Sequence, residues 1–101
     1  MLFVCSRNNW RSPTAEATYK DMPGIHAKSA GIKITAKLID WADIIFCMEK
    51  RHKQRLEDKF PEYLSDKRII VLEIPDEYQF MDPELIDHIK VSVSPYLETI
   101  I

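Results

Sequence analysis

Only two cysteines occur among the 101 residues, Cys5 and Cys47. A pair in a chain of this size does not make a disulfide scaffold, and a reducing cytoplasm suits it best. There is no excess of basic charge. The formal net charge is -2 at pH 7, which argues against a general nucleic-acid binder. No apolar stretch approaches the roughly 20 residues of a membrane span. No basic segment precedes the first apolar run, so neither a signal peptide nor a membrane partner is expected. Internal repeats, low-complexity segments and linkers are missing as well. The rest is ordinary for a globular protein, with 46% hydrophobic and 30% charged residues. The length predicts one domain, residues 1–101, with a single modest core.

The chemistry is concentrated at the start. Leu2, Phe3 and Val4 form a short apolar run that leads straight into Cys5. Such a run reads as a buried strand. Arg11, Ser12 and Pro13 follow, and a proline is tolerated in the first turn of a helix. The order is strand, polar loop, helix, with Cys5 opening the loop and Arg11 closing it. A loop that wraps toward a helix N-terminus turns backbone N–H groups toward one point, a cradle for phosphate. A guanidinium at its rim adds a bidentate clamp. A thiol at its base is favoured as the thiolate, the nucleophilic form. The Ser12 hydroxyl is placed to donate to that thiolate or to the loop. Cysteine at a strand end is otherwise a small buried hydrophobe, and the Cys-to-Arg spacing is weak by itself. The strand before it and the Ser-Pro helix start after it supply the context that the motif requires.

Further along, residues 14–22 predict the first helix, ended by Pro23-Gly24. Residues 25–30 predict a short strand. Residues 35–41 predict a helix with Thr35 as N-cap. The five-residue apolar run from Ile44 to Met48 predicts a strand covered on both faces. In it Cys47 reads as core. Residues 49–59 predict a charged helix with Glu49 and Lys53 paired at i,i+4 and a thin stripe through His52, Leu56 and Phe60. Its basic residues read as a solvated face. Residues 68–74 predict the fourth strand, followed by a loop at Pro75-Asp76-Glu77-Tyr78. Asp82 as N-cap and Pro83 at the first position open the last helix. Ile86, Ile89, Val93, Tyr96, Leu97 and Ile100 share its apolar face, and Pro95 is expected to kink or split it.

Strands alternating with helices predict an α/β fold, an open four-stranded parallel sheet flanked by helices. In such sheets ligands sit beyond the carboxyl ends of the strands. The loops after strands one and four both open there. Attack on a phosphate ester needs a nucleophile, neutralisation of the phosphoryl oxygens and a proton for the leaving group. Cys5, Arg11 and Asp76 are the candidate catalytic residues for these roles. Asp82 is the rival acid, but its capping role already accounts for it. Ser6, Arg7, Asn8, Asn9, Trp10 and Ser12 are the candidate phosphate-binding loop. Trp10 reads equally as a pocket wall or as core beneath the loop, and Tyr78 reads as a wall. This chemistry calls for no cofactor and no metal.

The stretch Cys5-Ser6-Arg7-Asn8-Asn9-Trp10-Arg11-Ser12-Pro13-Thr14-Ala15-Glu16 resembles the phosphate loop of the low-molecular-weight protein tyrosine phosphatases. That family carries Cys, two residues, Asn, two residues, then Arg-Ser-Pro and often Ala-Glu. Asn8 matches the asparagine that holds the loop in shape. Arg7, Asn9 and Trp10 depart from the commonest pattern. Trp41 to Glu49 resembles the family's third strand. Ser29-Ala30-Gly31 resembles the segment whose serine supports the phosphate loop; as a bare residue, Ser29 reads equally as a turn. Asp76-Glu77-Tyr78-Gln79 stands where the family has Asp-Pro-Tyr-Tyr, without its proline and second tyrosine. A longer segment that the family has between Gly31 and Thr35 is missing, as in a shortened bacterial branch. The resemblance implies a phosphatase that hydrolyses phosphotyrosine or similar aryl phosphates through a cysteinyl-phosphate. The implied partners are a phosphorylated protein or small aryl phosphate, with inorganic phosphate as product. Arsenate reduction, a phosphocysteine carrier and a non-catalytic phosphate-binding module on the same fold are the alternatives.

Overall fold

A computed structural model of the chain describes residues 1–6, 10–31 and 33–100. Strand β1 (Leu2–Val4) leads to helix α1 (Arg11–Tyr19), β2 (Lys28–Ala30), α2 (Ala36–Trp41), β3 (Ile44–Cys47), α3 (Lys50–Lys59), β4 (Arg68–Val71) and α4 (Pro83–Ile100). The strands form one parallel sheet in the order β2-β1-β3-β4. Leu2 pairs with Lys28 on one side and Ile45 on the other, and Val4 with Ala30 and Cys47. The expected four-stranded parallel sheet is therefore the one that forms.

Side chains alternate across a strand, so a continuous apolar run feeds both faces of the sheet. Met1, Phe3, Cys5, Ile44, Phe46 and Met48 pack on one face with Ala15 and Tyr19 of α1 and Leu85, Ile89 and Val93 of α4. Phe3 stacks on Phe46 at 5.3 Å between centroids and on Tyr19 at 6.0 Å. Leu2, Val4, Ile45 and Cys47 pack on the other face with Ile39 of α2 and Leu56 of α3.

Several boundaries differ from the sequence reading. α1 begins at Arg11 and ends at Tyr19, about one turn ahead of the expected helix. Pro13 sits within its first turn, where the N–H groups have no intrahelical partner. The Trp10 carbonyl accepts from both the backbone N–H and the hydroxyl of Thr14. The chain then turns through Met22, and Gly24 supplies the left-handed φ of 83° that the turn requires. In α4, Leu85 rather than Ile86 lies on the fully buried stripe. Pro95 does not split α4, which runs through it. Val93 before it and Tyr96 and Leu97 after it all pack on the same core, and this holds the helix in line. The two caps form as expected. Thr35 Oγ1 accepts from Leu38 N at 3.3 Å, and Asp82 Oδ1 accepts from Glu84 N at 2.9 Å.

Candidate active site

Cys5 is the first residue past β1. Its N–H still donates to Ala30 O at 3.1 Å, so the loop starts from a pinned position. Cys5 is buried, on the face shared with Phe3 and Phe46. Arg11 opens α1 and is only 2% exposed. Its side chain turns back across the carboxyl edge of the sheet. Nη1 donates to Glu49 Oε2 at 2.6 Å and to Ile74 O at 2.7 Å, and Nε lies 3.8 Å from Asp76 Oδ1. The ends of β3 and β4 thus meet the loop after β1. The expected meeting of Arg11 with the Asp76 segment takes place.

Ile74 reaches Arg11 because the chain continues past β4 without regular strand geometry. Leu72 N donates to Cys47 O and Ile74 N to Met48 O, while Glu73 between them has φ 57°. A non-glycine residue in that region costs about 1–2 kcal/mol. The kink falls between two backbone bonds, which fix it, and it presents the Ile74 carbonyl to the guanidinium.

Two residues of this site escaped the sequence reading. Glu49 is the residue before α3, and its carboxylate is taken by Arg11 and by Arg51, whose Nη2 lies 3.0 Å from Oε2. It does not run along the helix to Lys53. Burial pushes the Glu49 carboxyl up, but hydrogen bonds from Arg51 and Arg11 outweigh it and hold the pKa at about 2. His52 is fully buried and is the second. Its Nδ1 accepts the Glu49 backbone N–H at 3.0 Å, so the neutral ring carries its proton on Nε2 and donates to Ser6 Oγ at 2.9 Å. Burial, then the Arg11 charge, lowers its pKa to about 4. The start of α3 therefore holds both the clamp and the first loop residue after Cys5. The one local signal was the spacing Glu49-x-x-His52 at a helix start, an N-cap and third-position pair.

The remaining candidates divide. Ser6 is in place, with its hydroxyl engaged by His52. Arg7, Asn8 and Asn9 lie outside the described residues. Trp10 is 44% exposed, so it is not core. Ser12 is fully buried, and its hydroxyl has no partner among the described residues. Of its two expected partners, the Cys5 sulfur is not engaged by it, and loop residues 7–9 lie outside the described residues. Tyr78 packs edge-on against His88 of α4 at 6.4 Å, beside the Asp76 loop. Ser29 donates to Glu16 of α1 at 2.9 Å, and beside it the Ala30 carbonyl accepts from the Cys5 N–H. Cys47 packs on the opposite face of the sheet from Cys5, and burial pushes its thiol up to about 12.

No family model matches the chain. The protein-arginine-phosphatase of Geobacillus stearothermophilus is 32% identical, over 61% of this chain and 62% of that protein. The chain therefore spans less than two thirds of that relative's length. Among solved structures, the tyrosine phosphatase Wzb of Escherichia coli K30 in complex with phosphate superposes with a TM-score of 0.78 at 20% identity, covering 97% of this chain and 95% of that one. The YwlE arginine phosphatase of Geobacillus stearothermophilus superposes with a TM-score of 0.76 at 24% identity, covering 97% and 92%. Wzb of Vibrio vulnificus in complex with benzylphosphonate gives 0.77 at 20% identity, covering 97% and 96%. The chain has the fold of these phosphatases.

Proposed function

We propose that this chain is a phosphoric monoester hydrolase that cleaves phosphotyrosine or a similar aryl phosphate. The observation that carries it is the buried Arg11 guanidinium, held at the carboxyl edge of the sheet by Glu49 and Ile74, on the loop that Cys5 opens. In the first step the Cys5 sulfur attacks phosphorus and the bond to the aryl oxygen breaks. The leaving oxygen takes a proton from Asp76. The negative charge on the phosphoryl oxygens is met by loop N–H groups and Arg11. In the second step Asp76 takes a proton from water, the water oxygen attacks phosphorus, and the P–S bond breaks. Phosphate leaves and Cys5 returns as the thiolate. No cofactor enters. Trp10 and Tyr78 supply aromatic walls for the ring of the substrate.

Residues 1–101 act in this reading as one domain in the cytoplasm, on a phosphorylated protein or a small aryl phosphate. No helix among the described residues is long and apolar enough to cross a membrane. Arsenate reduction by a relay of cysteines is disfavoured, because Cys47 lies across the sheet from Cys5 with its thiol held protonated. A second reading is dephosphorylation of phosphoarginine, favoured by the printed activity of the 32% identical relative. The same nucleophile and acid would then break a P–N bond. The deciding experiment gives the chain phosphotyrosine and phosphoarginine peptides and nitrophenyl phosphate, with Cys5→Ser as control. Turnover on the aryl substrates that vanishes in Cys5→Ser, with phosphate still bound, supports the first reading. Exclusive turnover of phosphoarginine supports the second. Near-normal turnover by Cys5→Ser would remove Cys5 from the mechanism.

A further inference from the structure

α3 begins at the candidate site and runs away from it. It follows β3, so its first turn lies at the carboxyl edge beside Arg11, and its last turn lies toward the opposite edge of the sheet. One face of it forms an open groove of about 450 Å³, lined by Arg51, Gln54, Arg55, Asp58 and Lys59. Arg51, Arg55 and Lys59 are spaced four residues apart, so the three cations fall on one line down the helix. Asp58 is the one carboxylate in the lining, and Gln54 already donates to it at 3.0 Å. The groove is therefore cationic and long rather than a closed pocket. Its upper end joins the site itself. Arg51 and Arg11 share the same oxygen of Glu49, and Arg51 also lies within electrostatic range of Cys5 and Asp76.

We propose that this groove is a subsite for the acidic flank of a phosphorylated polypeptide substrate. The inference rests on the phosphatase reading above and extends it to the residues around the phosphorylated one. Charge complementarity selects the occupant: an extended chain bearing Asp or Glu can set carboxylates against Arg51, Arg55 and Lys59 in turn. Eight residues of helix span about 12 Å. An extended peptide covers that distance in about four residues. The acidic positions therefore spread over about four residues, on one side of the phosphorylated side chain. Arg51 meets the nearest of them, and Lys59 the farthest.

The test uses the whole chain and the double variant Arg55→Glu/Lys59→Glu. Arg55 and Lys59 lie one and two turns beyond Arg51 along α3, and their substitution leaves Glu49, Arg51 and His52 in place. Three measurements are made at low salt: binding of a fluorescent glutamate-rich peptide without phosphate, kcat/KM on phosphotyrosine peptides with glutamate or neutral flanks, and turnover of nitrophenyl phosphate. The wild type is expected to bind the glutamate-rich peptide and to favour the acidic-flank substrate about tenfold. The double variant is expected to lose both while keeping its rate on nitrophenyl phosphate. Equal treatment of acidic and neutral flanks by the wild type overturns the subsite. So does an equal loss on nitrophenyl phosphate, or equal binding of a single-stranded oligonucleotide of the same charge. Absence of nitrophenyl phosphate turnover with charge-dependent peptide binding intact would instead overturn the phosphatase reading and leave the groove standing.

Discussion

Arg11 is a buried charge, and a charge is kept in the interior only when its partners offset the lost water. Here the partners are a carboxylate and a carbonyl on two different strand ends. Lysine has one compact head and cannot serve both while clamping a phosphate. Arg11→Lys should lower kcat on aryl phosphates by roughly 10²–10³, read by steady-state assay with circular dichroism as the check on folding. Asp76→Asn should slow poor leaving groups by roughly 10²–10⁴ and spare nitrophenolate, which needs no proton. Asp82→Asn keeps a good N-cap and should leave both rates alone. If that contrast appears in Asp82→Asn instead, the acid has been misplaced. Glu49 gives a stability test. Its folded pKa of about 2 lies below the ordinary 4.5. Its contribution is therefore whole above about pH 4.5 and fades as pH falls toward 2. Glu49→Gln should cost about 1–2 kcal/mol at pH 7, reduced from the buried case because the carboxylate is part exposed, and should flatten that slope in urea titrations.

The start of α3 acts as a unit. The Glu49 N–H, the His52 ring and the Ser6 hydroxyl form one chain of hydrogen bonds from helix to loop. His52 is neutral in the folded state, with its pKa lowered from 6.5 to about 4. Between those values the unfolded chain binds more protons, so stability falls as pH drops from 6.5 to 4. His52→Gln should lose that slope in melting curves recorded across the window. It should also raise KM for phosphate esters as Ser6 is released. An unchanged slope would mean that another group titrates there. These links were not legible in sequence. Arg11 and Glu49 are thirty-eight residues apart, and nothing local marks a salt bridge of that span. Caps are different, because their partners lie within one turn. Thr35 and Asp82 were legible for that reason, and Thr35→Ala should cost about 1 kcal/mol through α2. The start of α1 was displaced by one turn, because Pro13 is compatible with more than one position in the first turn and only tertiary contacts choose between them.

At the scale of the molecule, two apolar layers share four short strands. The continuous runs Leu2-Phe3-Val4 and Ile44 to Met48 made the sheet legible, since only a strand buried on both faces tolerates such a run. Which helix covers which face was not legible, because apolar periodicity states that a face is buried and not against what. The central stack of Phe3 and Phe46 lies at the junction of α1, α4 and the sheet. Phe46→Ala should cost about 3–5 kcal/mol. Domains of this size have about 5–15 kcal/mol in all. The variant should therefore lose a large share of its stability, as measured by thermal melt.

The assignment of the two thiols to opposite layers has a consequence for how this protein ages. A peroxide that reaches Cys5 turns its sulfur into a sulfenic acid, which is rescued when a second thiol condenses with it. Cys47 cannot serve, since the sheet stands between them. Damage at Cys5 is then either repaired by a small thiol from solution or driven on to the irreversible sulfinic acid. Mass mapping after brief peroxide treatment should find oxygen added at Cys5 and no internal bridge. Added glutathione should appear as a mixed disulfide that restores the free thiol on reduction.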